Sequence, residues 1–279
     1  MLIEQKAPAK VNFGLRILSK RKDSFHNLET IFCPVKLYDV VTINISPAKK
    51  GSIFVKTNAG SALEGRKNIC YKAAEMFLRE FIVTENYRIT ISIKKNIPHG
   101  AGLGGGSSDA AAVLKMLAKY FKKSASPKLK KLALALGSDV PFFLLGKAAY
   151  ATGRGEKLIP LPGFRIKGKI LLVNPGIHIP TPWAFKELNI SKSKRAILKK
   201  IKKFNPAEPK LMINDFERVV FRKYPEIEKL KLDMIAFGAE YALMSGSGST
   251  VYGVFRSKQI EDAKKYFKRK GYKVFIAQM

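Results

Sequence analysis

Five glycines stand within seven residues of the segment IPHGAGLGGGSSDAAAVL, between a strand-like stretch and a helix-like one. Glycine adopts positive φ without strain and lets backbone N–H groups approach a ligand with no side chain in the way. Ser107 or Ser108 is expected to cap the following helix, whose N-terminus adds a partial positive charge. The segment 98–108 therefore predicts an anion site, and phosphate is the anion that fits it best.

Two well-known phosphate-binding patterns do not fit this segment. Gly100, Gly102 and Gly105 match the spacing G-x-G-x-x-G of dinucleotide folds. Such a fold needs an acidic residue about 20 positions further on, where YFKKSAS stands instead. The pattern G-x-x-x-x-G-K-[ST] fails because no lysine follows the glycines. A merely flexible connection is disfavoured, since five glycines before a capped helix are costly to order without a ligand.

Several ionisable residues could take part in chemistry, but their types alone do not decide it. Asp139, in GSDVPFF, stands at the edge of an apolar segment, where an acid is more often a helix cap or a surface charge. Lys10 lies in a strand-like stretch with apolar neighbours and is one of 52 basic residues. His26, His99 and His178 lack the spacing of zinc ligands, so no metal-binding residue is assigned.

The charge of the chain is strongly positive, with 52 Lys and Arg against 21 Asp and Glu and a net charge of +31 over 279 residues. Such a charge attracts nucleic acid, anionic membrane surfaces or phosphorylated substrates. The basic clusters interleave with apolar residues, as on solvated helix faces, and no nucleic-acid-binding motif accompanies them. We therefore expect a small-molecule partner and no nucleic acid.

Cysteine usage and apolar runs indicate a cytoplasmic protein. Cys33 and Cys70 both lie in apolar surroundings, which argues against a disulfide framework. No run of about 18 apolar residues occurs, and the start MLIEQKAPAK has no long apolar stretch behind its charge. We expect no membrane partner, and the sequence leaves a monomer and a homodimer equally open.

Hydrophobic periodicity predicts a mixture of strands and helices without strict βαβ alternation, which is typical of an α+β fold in two domains. The predicted strands are 11–18, 28–37, 40–45, 87–93, 148–152, 170–173 and 273–276. The predicted helices are 69–81 with an Asn68 cap, 109–121, 128–136, several lysine-rich helices up to about 237, and 259–270. SGSGST is predicted to turn a hairpin, and the linker 160–168 predicts domains 1–160 and 161–279.

The string from Pro98 to Ser108, P-x-x-x-G-L-G-G-G-S-S, resembles the ATP-binding motif of the GHMP kinase superfamily, which includes galactokinase, homoserine kinase and mevalonate kinase. APAKVNFGL near the start and SGSGSTVYG near the end are similar to its other motifs, so the resemblance spans almost the whole chain. It implies a two-domain fold, with an N-terminal domain like domain 2 of ribosomal protein S5 and a ferredoxin-like C-terminal domain. It also implies ATP as phosphoryl donor, with Mg²⁺.

Flanking segments narrow the resemblance to one family within this superfamily. FHNLETIF, GSDVPFF and NPGIHIPTPWAF are similar to the GHMP kinases that phosphorylate the 2-hydroxyl of a cytidine diphosphate substrate in the non-mevalonate isoprenoid pathway. A GHMP kinase of the homoserine or mevalonate type and a basic nucleic-acid-binding protein stay open as alternatives.

The resemblance implies roles for individual residues. Asp139 would orient the substrate hydroxyl and accept its proton, with Lys10 as its partner. The implied ATP-binding residues are Asn68, Lys95, Pro98, His99, Gly100, Ala101, Gly102, Leu103, Gly104, Gly105, Gly106, Ser107 and Ser108. The implied acceptor-binding residues are Asn12, Phe25, His26, Thr181 and Phe185, with Phe25 standing where a tyrosine is common. Asn12 should share a strand face with Lys10.

Overall fold

The structure, a computed structural model, describes residues 1–82, 86–124, 126–190, 196–197 and 212–279. The chain forms two compact units, each built from several segments. Unit 1 comprises Met1–Ala9, Leu37–His99 and Gly104–Gly146, and unit 2 comprises Lys10–Lys36, Gly100–Leu103 and Lys147–Met279. The single domain boundary near residue 160 stays a prediction.

Strands and helices are mixed along the chain, which confirms the α+β fold class. The strands are β1 (Leu2–Lys20), β2 (His26–Pro47), β3 (Ser52–Thr57), β4 (Tyr87–Lys94), β5 (Ala149–Thr152), β6 (Lys157–Pro160), β7 (Lys169–Asn174), β8 (Tyr241–Met244), β9 (Val251–Phe255) and β10 (Lys273–Ala277). The α-helices are α1 (Ile69–Phe81), α2 (Gly105–Tyr120), α3 (Pro127–Leu136), α4 (Val140–Leu145), α5 (Thr181–Leu188), α6 (Glu217–Lys223), α7 (Pro225–Ala236) and α8 (Gln259–Arg269).

Most predicted elements are confirmed, and the differences are local. The strands predicted at 28–37 and 40–45 form the single strand β2, whereas β3, β6 and α4 were not predicted. Residues 191–195 and 198–211, within the stretch up to about 237 where several lysine-rich helices were predicted, lie outside the described residues.

In unit 1, the sheet has the order β3, β4, β2, and β1 also pairs with β2. β2 pairs antiparallel with β4, from Val40 opposite Lys94 to Pro47 opposite Tyr87. β3 runs parallel to β4, and α1 makes the crossover between them. α1 packs on β3, β4 and α2, and α2 packs in turn on α3 and α4. The unit buries alternate residues of β4, such as Ile91, against these helices.

Helices α1 and α2 begin in different ways. The Asn68 side chain caps α1 by accepting a hydrogen bond from the backbone N–H of Cys70, as predicted. The prediction that Ser107 or Ser108 caps α2 is wrong, because α2 already begins at Gly105 and its cap is Gly104. Gly104 has φ 71° and ψ 17°, a left-handed conformation that glycine adopts without strain.

In unit 2, a four-stranded antiparallel sheet has the order β10, β7, β9, β8. Two helix-containing connections complete the chain order β-α-β-β-α-β, which is the ferredoxin-like arrangement that was expected. Its core includes Leu171 of β7, Phe255 of β9 and Met234 of α7. In the same unit β2 pairs with β5, which forms a hairpin with β6.

Both cysteines are buried and free, as the sequence predicted. Burial raises the pKa of Cys33 and of Cys70 above the ordinary range, so neither thiol is an activated nucleophile. In the part of the chain that the structure describes, no helix combines the length and apolar character needed to span a membrane.

Candidate active site

The glycine-rich segment uses glycine where its backbone could carry no other residue without strain. Gly100, Gly102 and Gly104 have φ values of 63°, 76° and 71°. A Cβ atom on Gly102 would overlap the backbone carbonyl oxygen of Ser245, and one on Gly100 would lie 2.7 Å from Nδ1 of His178. The close packing leaves no room for a side chain at Gly100 or Gly102, so glycine is required at both positions.

The hairpin turn SGSGST packs directly against this segment. The Ser245 hydroxyl donates a hydrogen bond to the carbonyl oxygen of Gly102 at 2.9 Å, and the N–H of Thr250 donates to that of Ala101 at 3.3 Å. The turn is held in place by the buried side chain of Asn214, which donates to the carbonyl oxygens of Met244 and Gly246. The predicted hairpin turn therefore contacts the glycine-rich segment.

A buried ionic cluster lies beside the two ends of the same segment in unit 1. Nζ of Lys95 donates to Oδ2 of Asp109 at 2.6 Å and to Oδ2 of Asp39. The other oxygen of Asp39 accepts hydrogen bonds from the backbone N–H groups of Asn96 at 2.6 Å and Ile97 at 2.8 Å. The ammonium group of Lys95 is therefore engaged by two carboxylates.

The charges in this cluster do not balance, since two carboxylates share one ammonium group. Burial raises the pKa of Asp109 to about 7, with the charge of Asp39 acting in the same direction and that of Lys95 against it. For Lys95, burial alone would lower the pKa, but the charges of Asp109 and Asp39 outweigh it and raise the pKa overall. Asp109 thus changes protonation near neutral pH.

Lys10 and Asn12 lie on the same face of β1, as predicted. Nζ of Lys10 donates to Oδ1 of Asn12 at 2.6 Å, and Nδ2 of Asn12 donates to the hydroxyl of Thr30 at 3.0 Å. Both side chains are almost fully buried, Lys10 with 4% and Asn12 with 3% of its surface exposed. Nζ of Lys10 also lies 5.2 Å from the ring centroid of Phe32. These contacts hold the ammonium group in one position on the strand.

Asp139 is half-buried at the residue that precedes α4, with φ −85° and ψ −17°. It belongs to unit 1 together with Pro98, His99 and the segment from Gly104 onward, whereas Lys10 belongs to unit 2. The pairing of Lys10 with Asp139 stays a prediction.

The aromatic residues that the resemblance assigned to the acceptor come together in unit 2. The rings of His26 and Phe185 are stacked, with centroids 4.7 Å apart and planes 16° from parallel. Phe216 supports Phe185 by an edge contact at 4.9 Å. Burial and then the charge of Lys20 lower the pKa of His26, so its imidazole is neutral at pH 7 and offers one donor and one acceptor.

The other two residues assigned to the acceptor lie at exposed positions in unit 2. The hydroxyl of Thr181, one helical turn before Phe185 on α5, is 2.9 Å from that of Ser247 in the hairpin turn. Phe25 is 48% exposed, and the guanidinium carbon of Arg154 lies 4.2 Å from its ring centroid. This cation–π contact places a positive charge beside Phe25.

Sequence reasoning missed some of the residues that build the site. Asp39 stands between Tyr38 and Val40 in an apolar strand, and a charge inside such a strand is a signal for a buried ion pair. Asn214 and Phe216 had no local signal, since their roles depend on partners far away in the sequence.

Comparison with known proteins identifies the family. The chain matches the GHMP kinases N terminal domain over residues 68–147 and the GHMP kinases C terminal domain over residues 197–273. It is 41% identical over 266 residues to the 4-diphosphocytidyl-2-C-methyl-D-erythritol kinase of Solibacter usitatus (strain Ellin6076), covering 91% of this chain and 81% of the relative.

Solved structures agree with this relationship. A crystal structure of 4-(cytidine 5'-diphospho)-2C-methyl-D-erythritol kinase matches with a TM-score of 0.81 and 32% identity, over 99% of this chain and 100% of that one. A mevalonate kinase matches with a TM-score of 0.64 and 18% identity, over 100% of this chain and 99% of that one, and shares the fold alone. The chain therefore belongs to the GHMP kinases and, within them, to the family of the 4-diphosphocytidyl-2-C-methyl-D-erythritol kinases.

Proposed function

We propose that this chain transfers the γ-phosphoryl group of ATP to the 2-hydroxyl of 4-diphosphocytidyl-2-C-methyl-D-erythritol, a step of the non-mevalonate route to isoprenoid precursors. The chain is an ATP-dependent small-molecule kinase, as its family membership requires. The observation that carries the acceptor assignment is the stacked pair of His26 and Phe185, because aromatic faces of this kind bind a pyrimidine base.

The triphosphate would bind to the backbone of the segment 98–108. Positive φ at alternate glycines and the N-terminus of α2, sixteen residues long, favour a negatively charged group there. Asn68 and Lys95 would lie on the adenosine side of the nucleotide, as the family resemblance implies.

The phosphoryl transfer would depend on Asp139 and Lys10. Asp139 would orient the 2-hydroxyl and accept its proton, while the ammonium group of Lys10 would stabilise the negative charge on the reacting oxygen. A loose phosphoryl-transfer transition state needs little proton removal until late, so orientation contributes most of the effect. The hydrogen bond from Lys10 to Asn12 supports this role, because it restricts where the ammonium group can lie.

Mg²⁺ would accompany ATP and neutralise the charge of its phosphate groups. Among the described residues no group of three or more His, Cys, Asp or Glu side chains could hold a metal by itself. This donor set fits an ion bound mainly by phosphate oxygens, since Mg²⁺ at such sites often takes only one or two protein carboxylates. Asp139 is the candidate carboxylate, because Asp109 is buried against Lys95.

The cytidine base would bind against His26 and Phe185. A neutral imidazole has one donor and one acceptor nitrogen, and either one could form a hydrogen bond with the pairing edge of cytosine, which carries an acceptor and an amino donor. Phe25 would add stacking area without the hydroxyl of a tyrosine. Asn12 and Thr181 would provide polar contacts to the rest of the acceptor.

One assay tests the proposal. ADP release is measured with four acceptors: the cytidyl substrate, methylerythritol without the cytidine diphosphate, homoserine and mevalonate. Only the cytidyl substrate should support turnover, because binding energy from the remote nucleotide positions the reacting hydroxyl. Efficient turnover of homoserine or mevalonate would reject the acceptor and leave a GHMP kinase of another specificity.

We also propose a cytoplasmic location. The support is that Cys33 and Cys70 are both free thiols, as is usual in a reducing compartment. Labelling of cell fractions with an antibody against the chain tests this assignment, and enrichment in a membrane fraction would contradict it.

A further inference from the structure

We propose that Asp39, Lys95 and Asp109 form a clamp that holds the two ends of the glycine-rich segment together and thereby sets the affinity for ATP through the position of the loop. The inference rests on the proposed function, because it takes the segment 98–108 as the triphosphate site. It assigns the carboxylates of Asp39 and Asp109 as positioning residues, which act on the segment through Lys95.

The clamp spans both ends of the segment. At the first end, β4 stops at Lys94, and the Asp39 carboxylate binds the next three residues through the side chain of Lys95 and the N–H groups of Asn96 and Ile97. At the second end, α2 begins at Gly105, and Asp109 in its second turn binds the same ammonium group at 2.6 Å. One lysine therefore connects the strand that precedes the glycines to the helix that follows them.

The packing around Lys95 is close enough to make this connection stiff. A Cβ atom on Gly105 would lie 3.3 Å from Nζ of Lys95 and 3.1 Å from a methyl carbon of Ile97. Glycine at the first position of α2 thus lets the lysine side chain pass beside the helix. Asp39 is fully buried and Asp109 is 3% exposed, so water does not compete effectively for these ion pairs.

Two buried polar atoms at this end of the clamp make no hydrogen bond. Oδ1 of Asp109 and the hydroxyl of Ser108, on consecutive residues of α2, are buried and have no hydrogen-bond partner. Such groups are rare in native structures and call for an explanation. The titratable groups that influence Asp109 are Asp39, Lys95 and, on α1, the thiol of Cys70.

The geometry predicts how the clamp acts on ATP. When Asp109 is ionised, its attraction to Lys95 holds the start of α2 against the end of β4. When Asp109 is protonated or replaced by asparagine, that attraction weakens, and the backbone N–H groups between the two ends lose their preorganised spacing. The residues assigned to the acceptor all lie in unit 2, whereas the clamp lies in unit 1, so acceptor binding should not depend on this contact.

The central experiment compares the wild type with Asp109→Asn, which keeps the size of the side chain and removes its charge. The KM for ATP should rise by about 10-fold to 100-fold at pH 8, the range expected for misplaced binding groups, while the KM of the acceptor stays unchanged. At pH 6 the difference should shrink, since Asp109 of the wild type is then mostly protonated. A role in stability alone would not produce this pH-dependent split between the two KM values.

Three further variants make the result decisive. Asp39→Asn removes the other carboxylate. It replaces Asp109→Asn as the test if circular dichroism shows that the Asp109→Asn protein is unfolded. Glu80→Gln breaks the surface ion pair with Lys128 in the same unit, 2.7 Å in length, and should leave the KM for ATP unchanged. Gly104→Val reports on the loop itself.

The outcomes separate the two proposals. If Gly104→Val weakens ATP binding but the folded clamp variant keeps the wild-type KM for ATP at both pH values, the clamp is rejected and the ATP site stands. If neither variant changes the KM for ATP, the assignment of the loop to ATP fails, and the clamp fails with it. An equal rise in the KM of ATP and of the acceptor would also reject the clamp, because it indicates general unfolding.

Discussion

The imidazole of His26 lies flat against the ring of Phe185, and the two centroids are only 4.7 Å apart. Because the rings already touch, a base cannot lie between them in this arrangement. It must stack on an outer face of the pair, or the rings must separate to admit it. Phe216 meets Phe185 edge-on, so Phe185 has an aromatic partner besides His26.

Replacement of His26 by alanine should weaken binding of the cytidyl substrate far more than binding of ATP. Loss of hydrogen bonds within a stacked pocket leaves polar groups of the base unpaired, which costs about 1 to 3 kcal/mol. The KM values of both substrates provide the measurement, with ATP as the internal control. An unchanged KM for the acceptor would remove His26 from the base site.

Gly104→Val should raise the KM for ATP and leave the fold largely intact. Valine at φ 71° strains the backbone and adds a side chain where the triphosphate would approach. Gly271→Val is the matched control, since Gly271 has φ 80° and no neighbouring atom within 4 Å of an added Cβ. Both variants should lose stability, but only the first should bind ATP poorly. A normal KM for Gly104→Val would count against the loop assignment.

Asp139→Asn should keep substrate binding and lower kcat by about 10²-fold or more, as expected for loss of a positioned acid–base group. Lys10→Ala should also lower kcat. In the double variant, kcat should fall by less than the product of the two single decreases, because the two groups act together. Single-turnover kinetics measure the chemical step directly. Asp262→Asn, at an exposed position, serves as the control. Near-normal turnover by Asp139→Asn would move the role to another residue.

The stability of the chain should respond to pH through Asp109. Burial, the largest cause, raises its pKa from 3.8 to about 7 in the folded state. The folded state therefore binds more protons than the unfolded state between these values, and the contribution of Asp109 to the free energy of unfolding falls as pH rises from about 4 to about 7.

Asp109→Asn has no carboxyl group to titrate at this position. Its free energy of unfolding relative to that of the wild type should therefore increase as pH rises from about 4 to about 7. Urea denaturation at pH 5 and at pH 8 measures the difference. A constant difference between the two proteins would show that Asp109 does not titrate in this range.

The net charge of +31 should produce only weak, sequence-independent association with nucleic acid. Such binding depends on the release of counterions, so it should fall steeply as salt rises. A gel retardation assay with duplex DNA and with RNA at several salt concentrations measures it. Tight binding to one defined sequence at physiological salt would revive the nucleic-acid alternative.

Local patterns predicted many of the elements because their causes lie within a few residues. The side chain of Asn68 caps the helix that follows it, and β4 alternates buried and exposed residues along its length. α4 was not predicted, because its sequence VPFFLL is too short and too uniformly apolar for its pattern to distinguish a helix from a strand.

The sequence alone determined the family and the residues assigned to each role, because motif spacing and residue type are read along the chain. Only the tertiary structure decided which of these residues meet. Asp39 is 56 positions from Lys95, and Ser245 is 143 positions from Gly102, so no local pattern could reveal either contact. Contacts over such distances depend on how the strands and helices pack. This packing places Lys95, which the resemblance assigned to the nucleotide, at the centre of a buried ionic cluster.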